Sequence, residues 1–196
     1  MNETHPRPTL DHCLHQLVDE LVRYNPNTLG HIRSENILFV AGAARRTNRA
    51  SIRPFRYKQE DGATYIKPRV QIDTQIILYE ICLRPMFFLE GNSDSRINTI
   101  AHELWHISDS FDGTLEESRR HKNKNTSAFT QQVTQLVNNC QISTKVQSIL
   151  SHQGELFLRA WKQRPPSRIL RDSRERKNFD ESDLYRSIVI QNNETF

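Results

Sequence analysis

Thr99-Ile100-Ala101-His102-Glu103-Leu104-Trp105-His106-Ile107 is the stretch on which the reading of this chain turns. Apolar residues at Ile97, Ile100, Ala101, Leu104 and Ile107 recur at helical spacing and predict a helix from about Ser95 to Ser108. Gly91-Asn92-Ser93-Asp94 before it predicts a turn, with Ser93 or Asp94 capping the helix. Further upstream, Gln75-Ile76-Ile77-Leu78-Tyr79-Glu80-Ile81-Cys82-Leu83 is rich in β-branched residues and is bounded by Pro85, which predicts a strand.

Within the helix lies the pattern H-E-x-x-H at His102 to His106. Residues i and i+4 sit one above the other on a helix face, so His102 and His106 can reach the same Zn²⁺. Glu103 projects to the side of that pair. A cationic metal lowers the pKa of a bound water from about 15.7 toward 7, and Glu103 is placed to take the proton as the water attacks a carbonyl. The expectation is a zinc-dependent hydrolase with Glu103 as general base and Zn²⁺ as cofactor. A catalytic zinc takes three protein ligands, and His121 is the candidate third. Glu116 and Glu117 are the carboxylate alternatives. Asp109 is suited to orienting an imidazole, and Asp112 to the turn beside Gly113. His12 and His15 share a helix face, and His5, His31 and His152 show no ligand spacing.

Outward from this core, Thr9 to Tyr24 predicts an amphipathic helix closed by Asn25-Pro26-Asn27, with Leu10, Leu14, Leu17, Val18 and Leu21 inward. Ile37 to Val40 reads as a buried strand ending at Gly42. The basic segment after it reads as a loop or edge strand, and Tyr65 to Ile72 as a half-buried strand. Thr126 to Cys140 predicts a helix with Phe129, Val133, Leu136 and Val137 on one side. Val146 to Trp161 reads as a hairpin turning at His152-Gln153-Gly154, and Ile188 to Ile190 as a short strand. The predicted fold class is α+β, a small mixed or antiparallel sheet packed on the H-E-x-x-H helix. Residues 1–162 form the expected domain. Residues 163–196 form an Arg-rich extension, expected to be extended or poorly ordered around Pro165-Pro166.

A length of 196 residues with 36% hydrophobic and 26% charged residues suits one modest core. No stretch approaches the roughly 20 apolar residues of a membrane span, and Met1 to Pro8 lacks the apolar region of a signal peptide. Cys13, Cys82 and Cys140 form neither a disulfide framework nor a C-x-x-C pair. Reduced thiols and a cytoplasmic location are expected. The net charge is +4 and the isoelectric point about 9.1. Positive charge gathers in segments 45–58 and 164–177. Such runs can bind nucleic acid, but more often they are solvated loops.

The stretch from about Ile37 to Phe129 resembles the zincin-type metallopeptidases, in particular the SprT-like group and related phage-type metallopeptidases. The resemblance rests on QIILYEICL, then IAHELWHI, then a loop, His121, and an aromatic at Phe129. It implies His102, His106 and His121 as zinc ligands, Glu103 as base, and a protein or peptide as substrate. It also implies an edge strand, Tyr65–Ile72 or Gln75–Leu83, along which an extended peptide can bind. Two other readings stand beside this one. One is a nucleic-acid-associated protein whose zinc site is proteolytic or structural. The other is an inactive binding module of zincin shape. Arg120 and Lys122 flank His121 where SprT-like proteins usually have glycine, and the chain has no cysteine zinc ribbon.

Overall fold

The computed structural model describes residues 9–42, 48–58, 64–66, 69–89, 92–119, 126–166 and 178–189. In chain order the elements are α1 (Leu10–Tyr24), α2 (Pro26–Leu29), β1 (Ile37–Ala41), β2 (Ala50–Pro54), β3 (Arg56–Lys58), β4 (Thr64–Ile66), β5 (Gln71–Ile72), β6 (Gln75–Ile76) and β7 (Tyr79–Leu83). Then come α3 (Pro85–Leu89), α4 (Ser93–Trp105), α5 (Thr126–Asn138), α6 (Thr144–Leu150), β8 (Leu156–Trp161) and β9 (Leu184–Val189). The fold is α+β. Its main sheet has the order β1-β7-β2, with β7 parallel to β1 and antiparallel to β2. Strands β3–β4, β5–β6 and β8–β9 form separate antiparallel pairs.

Every residue of β7 is buried, which explains its near-continuous apolar sequence: it is the central strand, covered on both faces. Tyr79, Ile81 and Leu83 face the larger core, where α1 contributes Leu10, Leu14, Leu17 and Leu21 and α4 contributes Ile97, Ile100, Ala101 and Leu104. On the other face, Cys82 packs with Leu38, Val40, Val70, Ile72, Phe179 and Leu184. A Cβ on Gly42 would lie 2.1 Å from the Cys82 sulfur, so only glycine fits where β1 leaves the sheet. All three cysteines are free thiols, and burial pushes the Cys13 thiol up to about 12. No helix among the described residues is long and apolar enough to cross a membrane.

Several elements depart from expectation. The stretch expected as one strand over 75–83 is two: Gln75–Ile76 pairs with β5, and Tyr79–Leu83 pairs with β1 and β2, a ladder that the Leu78 N–H to Asn36 O bond extends by one residue. The second of these is the centre of the main sheet, so Gln75–Leu83 is not an edge strand. The edges of that sheet are β1 and β2, and β2 is the one Glu103 meets. Tyr65–Ile72 overlaps β4 and β5, each paired on one side in a separate two-stranded sheet. The expected hairpin over 146–161 is helix α6 followed by β8. Ser143 caps α6 through the Val146 N–H, and Val146 and Leu150 are buried one turn apart. β8 pairs with β9, six residues against six. Within 163–196, therefore, Phe179 enters the second core and Leu184–Val189 forms a strand. Residues 167–177 lie outside the described ones.

The two basic segments meet at one buried acid. Glu80, fully buried in β7, accepts hydrogen bonds from Trp161 Nε1 (2.8 Å) and Arg164 Nη2 (2.9 Å). Arg53 Nη2 lies 3.1 Å from Glu80 Oε2 as an ion pair, at an angle too poor for a hydrogen bond. Its Nη1 donates to Pro165 O at 2.7 Å. Arg53 and Arg164 thus hold the chain after β8 against the sheet. Arg53→Ala would leave a buried carboxylate short of its buried cation, and should cost about 3–5 kcal/mol. Arg164, whose side chain is 49% exposed, should cost only about 1 kcal/mol on truncation. Urea denaturation of the two variants checks the contrast.

Candidate metal centre

Helix α4 turns its apolar stripe to the core and presents His102 and His106 together on another face. Its cap is Asn92, one residue before the expected Ser93, whose Oδ1 accepts from Asp94 N–H at 2.8 Å. The helix ends at Trp105, earlier than expected, because the chain tightens there: His106 N–H bonds to Glu103 O and Ile107 N–H to Leu104 O. The two imidazoles still stack one turn apart, ring centroids 5.1 Å from each other. Phe129, near the start of α5, stands 4.7 Å from the His102 ring and 4.9 Å from the His106 ring. Its apolar face covers the pair and keeps water from that side.

Glu103 leaves the helix toward β2. It is 7% exposed, and its Oε2 accepts the Ile52 N–H at 2.8 Å. Burial drives its carboxyl up to about 7. The Ile52 hydrogen bond and the Arg84 charge pull in the other direction and lose. Beside Glu103 opens a cleft of about 930 Å³, lined by the start of β2, by α4 and by α5.

After α4 the chain doubles back. His106 O accepts Glu116 N–H at 2.9 Å, and Ile107 bridges Leu115. Tyr79, reaching from the sheet, donates to Thr114 O (3.0 Å) and accepts from Gly113 N–H (2.9 Å). Gly113 turns with φ +86°, where a Cβ would also press on Arg56. Arg119 then closes the loop. It donates to Trp105 O and Ile107 O, pairs with both oxygens of Asp109, and lies 4.0 Å over the Trp105 ring. The chain has therefore returned to the end of α4 by residue 119.

Of the expected ligands, His102 and His106 are brought together, while His121 lies outside the described residues. The carboxylate alternatives have other work. Asp109 holds Arg119, Asp112 accepts from Thr114 N–H and hydroxyl, and Glu116 accepts from the Ser118 hydroxyl. Glu117 is exposed. Among the described residues no group of three His, Cys, Asp or Glu is placed to hold a metal ion. His15 lies edge-on to Phe39, 5.2 Å between centroids. Sequence reasoning missed Asn98 and Thr99, which line the cleft. They sit four and three residues before His102, so helical spacing alone places them near its face. The Ile52 N–H is a main-chain donor and carries no signal in the sequence.

The raised carboxyl of Glu103 makes a stability prediction for the metal-free protein. Its unfolded pKa is near 4.5 and its folded value about 7. Both states are protonated below pH 4.5. As pH rises toward 7 the unfolded chain ionises first, so folding loses stability across that window. Glu103→Gln keeps an acceptor for Ile52 and removes the loss. Its urea midpoint should match the parent at pH 4 and exceed it at pH 8, where its unfolding free energy should be higher by up to roughly 3 kcal/mol. Equal midpoints at both pH values would show that the carboxylate is not buried.

Compared with protein-family models, with curated proteins and with solved structures, the chain matches none of them.

Proposed function

We propose that the protein is a zinc-dependent hydrolase of zincin type that cleaves peptide bonds. The observation that carries this is the pair of imidazoles one turn apart on α4, with a buried carboxylate beside them at a cleft and an edge strand. The donor set suits zinc. Two imidazoles at i and i+4 share one face, and the acid between them in sequence points elsewhere. His121 is the proposed third ligand. The return of the chain to α4 by Arg119, and the engagement of Asp109, Asp112 and Glu116 with other groups, support it over those carboxylates.

When bound, zinc supplies Lewis acidity and a lowered pKa for water, from about 15.7 toward 7. The chain's own residues do the rest. Glu103 holds one oxygen on Ile52 and has the other to accept a proton from the attacking water. A carboxyl so placed can take that proton and pass it to the leaving amine. Phe129 shields the imidazoles from solvent, which strengthens electrostatic interactions there. The outer edge of β2 runs past Glu103 and can align an extended peptide by main-chain hydrogen bonds.

Metal analysis of the purified protein should find about one zinc per chain. His102→Ala, His106→Ala and His121→Ala should each lose it. Glu103→Gln should retain zinc and cleave a denatured protein substrate about 10²–10⁴-fold more slowly. Stoichiometric zinc in His102→Ala would sink the assignment of the site. Unchanged zinc affinity in His121→Ala alone would move only the third ligand.

A further inference from the structure

The cleft beside Glu103 has two walls of different electrical character. One is α5 and the turn after it. Residues 126–144 contain no Asp, Glu, Lys or Arg, in a chain that is 26% charged. Thr130, Val133 and Thr134 line the cleft from this wall. The other wall is the start of β2. From it Arg49, exposed at its surface, lines the cleft. Among the described lining residues Glu103 is the one carboxylate. Behind it lies the buried guanidinium of Arg84, whose charge acts on Glu103. Low-dielectric walls let such charges act with little screening.

Position along the strand gives Arg49 a register. Arg49 O accepts Arg84 N–H at 2.9 Å, so the β2–β7 ladder extends back to it. Ile52, which marks Glu103, is three residues further on, about 10 Å along an extended chain. We propose that the cleft selects polypeptide segments bearing an acidic side chain about three residues from the bond held at Glu103, with Arg49 as the residue that selects it. This rests on the reading that a peptide is cleaved at this site. An uncharged wall opposite Arg49 favours an acidic side chain there and disfavours a basic one.

The test uses the full-length zinc-loaded protein and a series of fluorescent peptides, neutral except for one Glu, Gln or Lys stepped through the sequence. Fluorescence anisotropy reads binding to the Glu103→Gln form, and product analysis reads cleavage by the parent. Glu three residues from the cut should improve binding and kcat/KM about fivefold over Gln, and Lys should weaken both. Arg49→Glu should reverse that order, and Arg49→Lys should keep it. Indifference to charge, or an order unchanged in Arg49→Glu, overturns the proposal. So does an oligonucleotide that displaces the peptides through Arg49 and binds more tightly, since the cleft would then be a phosphate site. Arg49-dependent binding of acidic peptides without cleavage would remove the peptidase reading and keep the recognition. Cleavage without charge preference would do the reverse, and neither binding nor cleavage of any peptide overturns both.

Discussion

The Ile52 N–H donates to Glu103 over 2.8 Å, and the layout of the cleft depends on that contact. Two groups meet there that are each unfavourable alone. An edge strand turns every second main-chain N–H away from its neighbour, and a buried orphan donor costs about as much as a lost hydrogen bond. A carboxyl held at 7% exposure is likewise disfavoured in its charged form. Joining them satisfies the donor and partly offsets the desolvation of the acceptor. It also pins α4 against the sheet at one residue, because Glu103 lies between the two imidazoles in sequence. Sliding the helix by one residue along β2 would break the bond and move His102 off the cleft.

The far end of α4 is fixed by the same kind of requirement. A helix leaves its last carbonyls without intrahelical donors. Here Arg119 donates to Trp105 O, and Glu116 N–H to His106 O. The cation also sits favourably at the negative end of the helix dipole. Tyr79 supplies the link back to the sheet through Gly113 and Thr114, and burial pushes its phenol well above the ordinary range, so the hydroxyl stays a donor. The path of the chain after α4 is thus set by backbone hydrogen bonds and one arginine, with no metal needed to draw it back.

These contacts explain which parts of the molecule were legible in the sequence. Helices α1, α4 and α5 were, because their apolar residues repeat at helical spacing over three or four turns. His102, Glu103 and His106 were legible as a group because adjacency on a helix is fixed by spacing. The sheet was harder. QIILYEICL contains its central strand, but its first two residues pair with Gln71-Ile72 instead, a change of partner that no local pattern records. β2 carries two arginine-rich flanks and reads as a loop or an edge strand; that Arg53 is buried follows from Glu80, a neighbour only in space. Val146 to Leu150 was misread because β-branched residues suggest a strand. The Ser143 cap and the apolar residues at Val146, Ile149 and Leu150 carried the helical signal.

Placing a buried carboxyl at a sheet edge brings a hazard that the rest of β2 answers. Open edges invite pairing with other chains. Toward its C-terminal end the edge is closed by chemistry. Pro54 has no N–H to donate, and Arg56 N–H bonds to Gly113 O at 2.9 Å, in the loop that Tyr79 holds. In the middle, Ile52 N–H is taken by Glu103. What is left for an incoming strand is the segment around Ala50, at the mouth of the cleft and between Arg49 and Glu103. The edge is blunted everywhere except where a chain laid against it would pass the carboxylate. Anchoring the carboxyl and protecting the edge are therefore one arrangement: the hydrogen bond that holds Glu103 also limits where another backbone can pair.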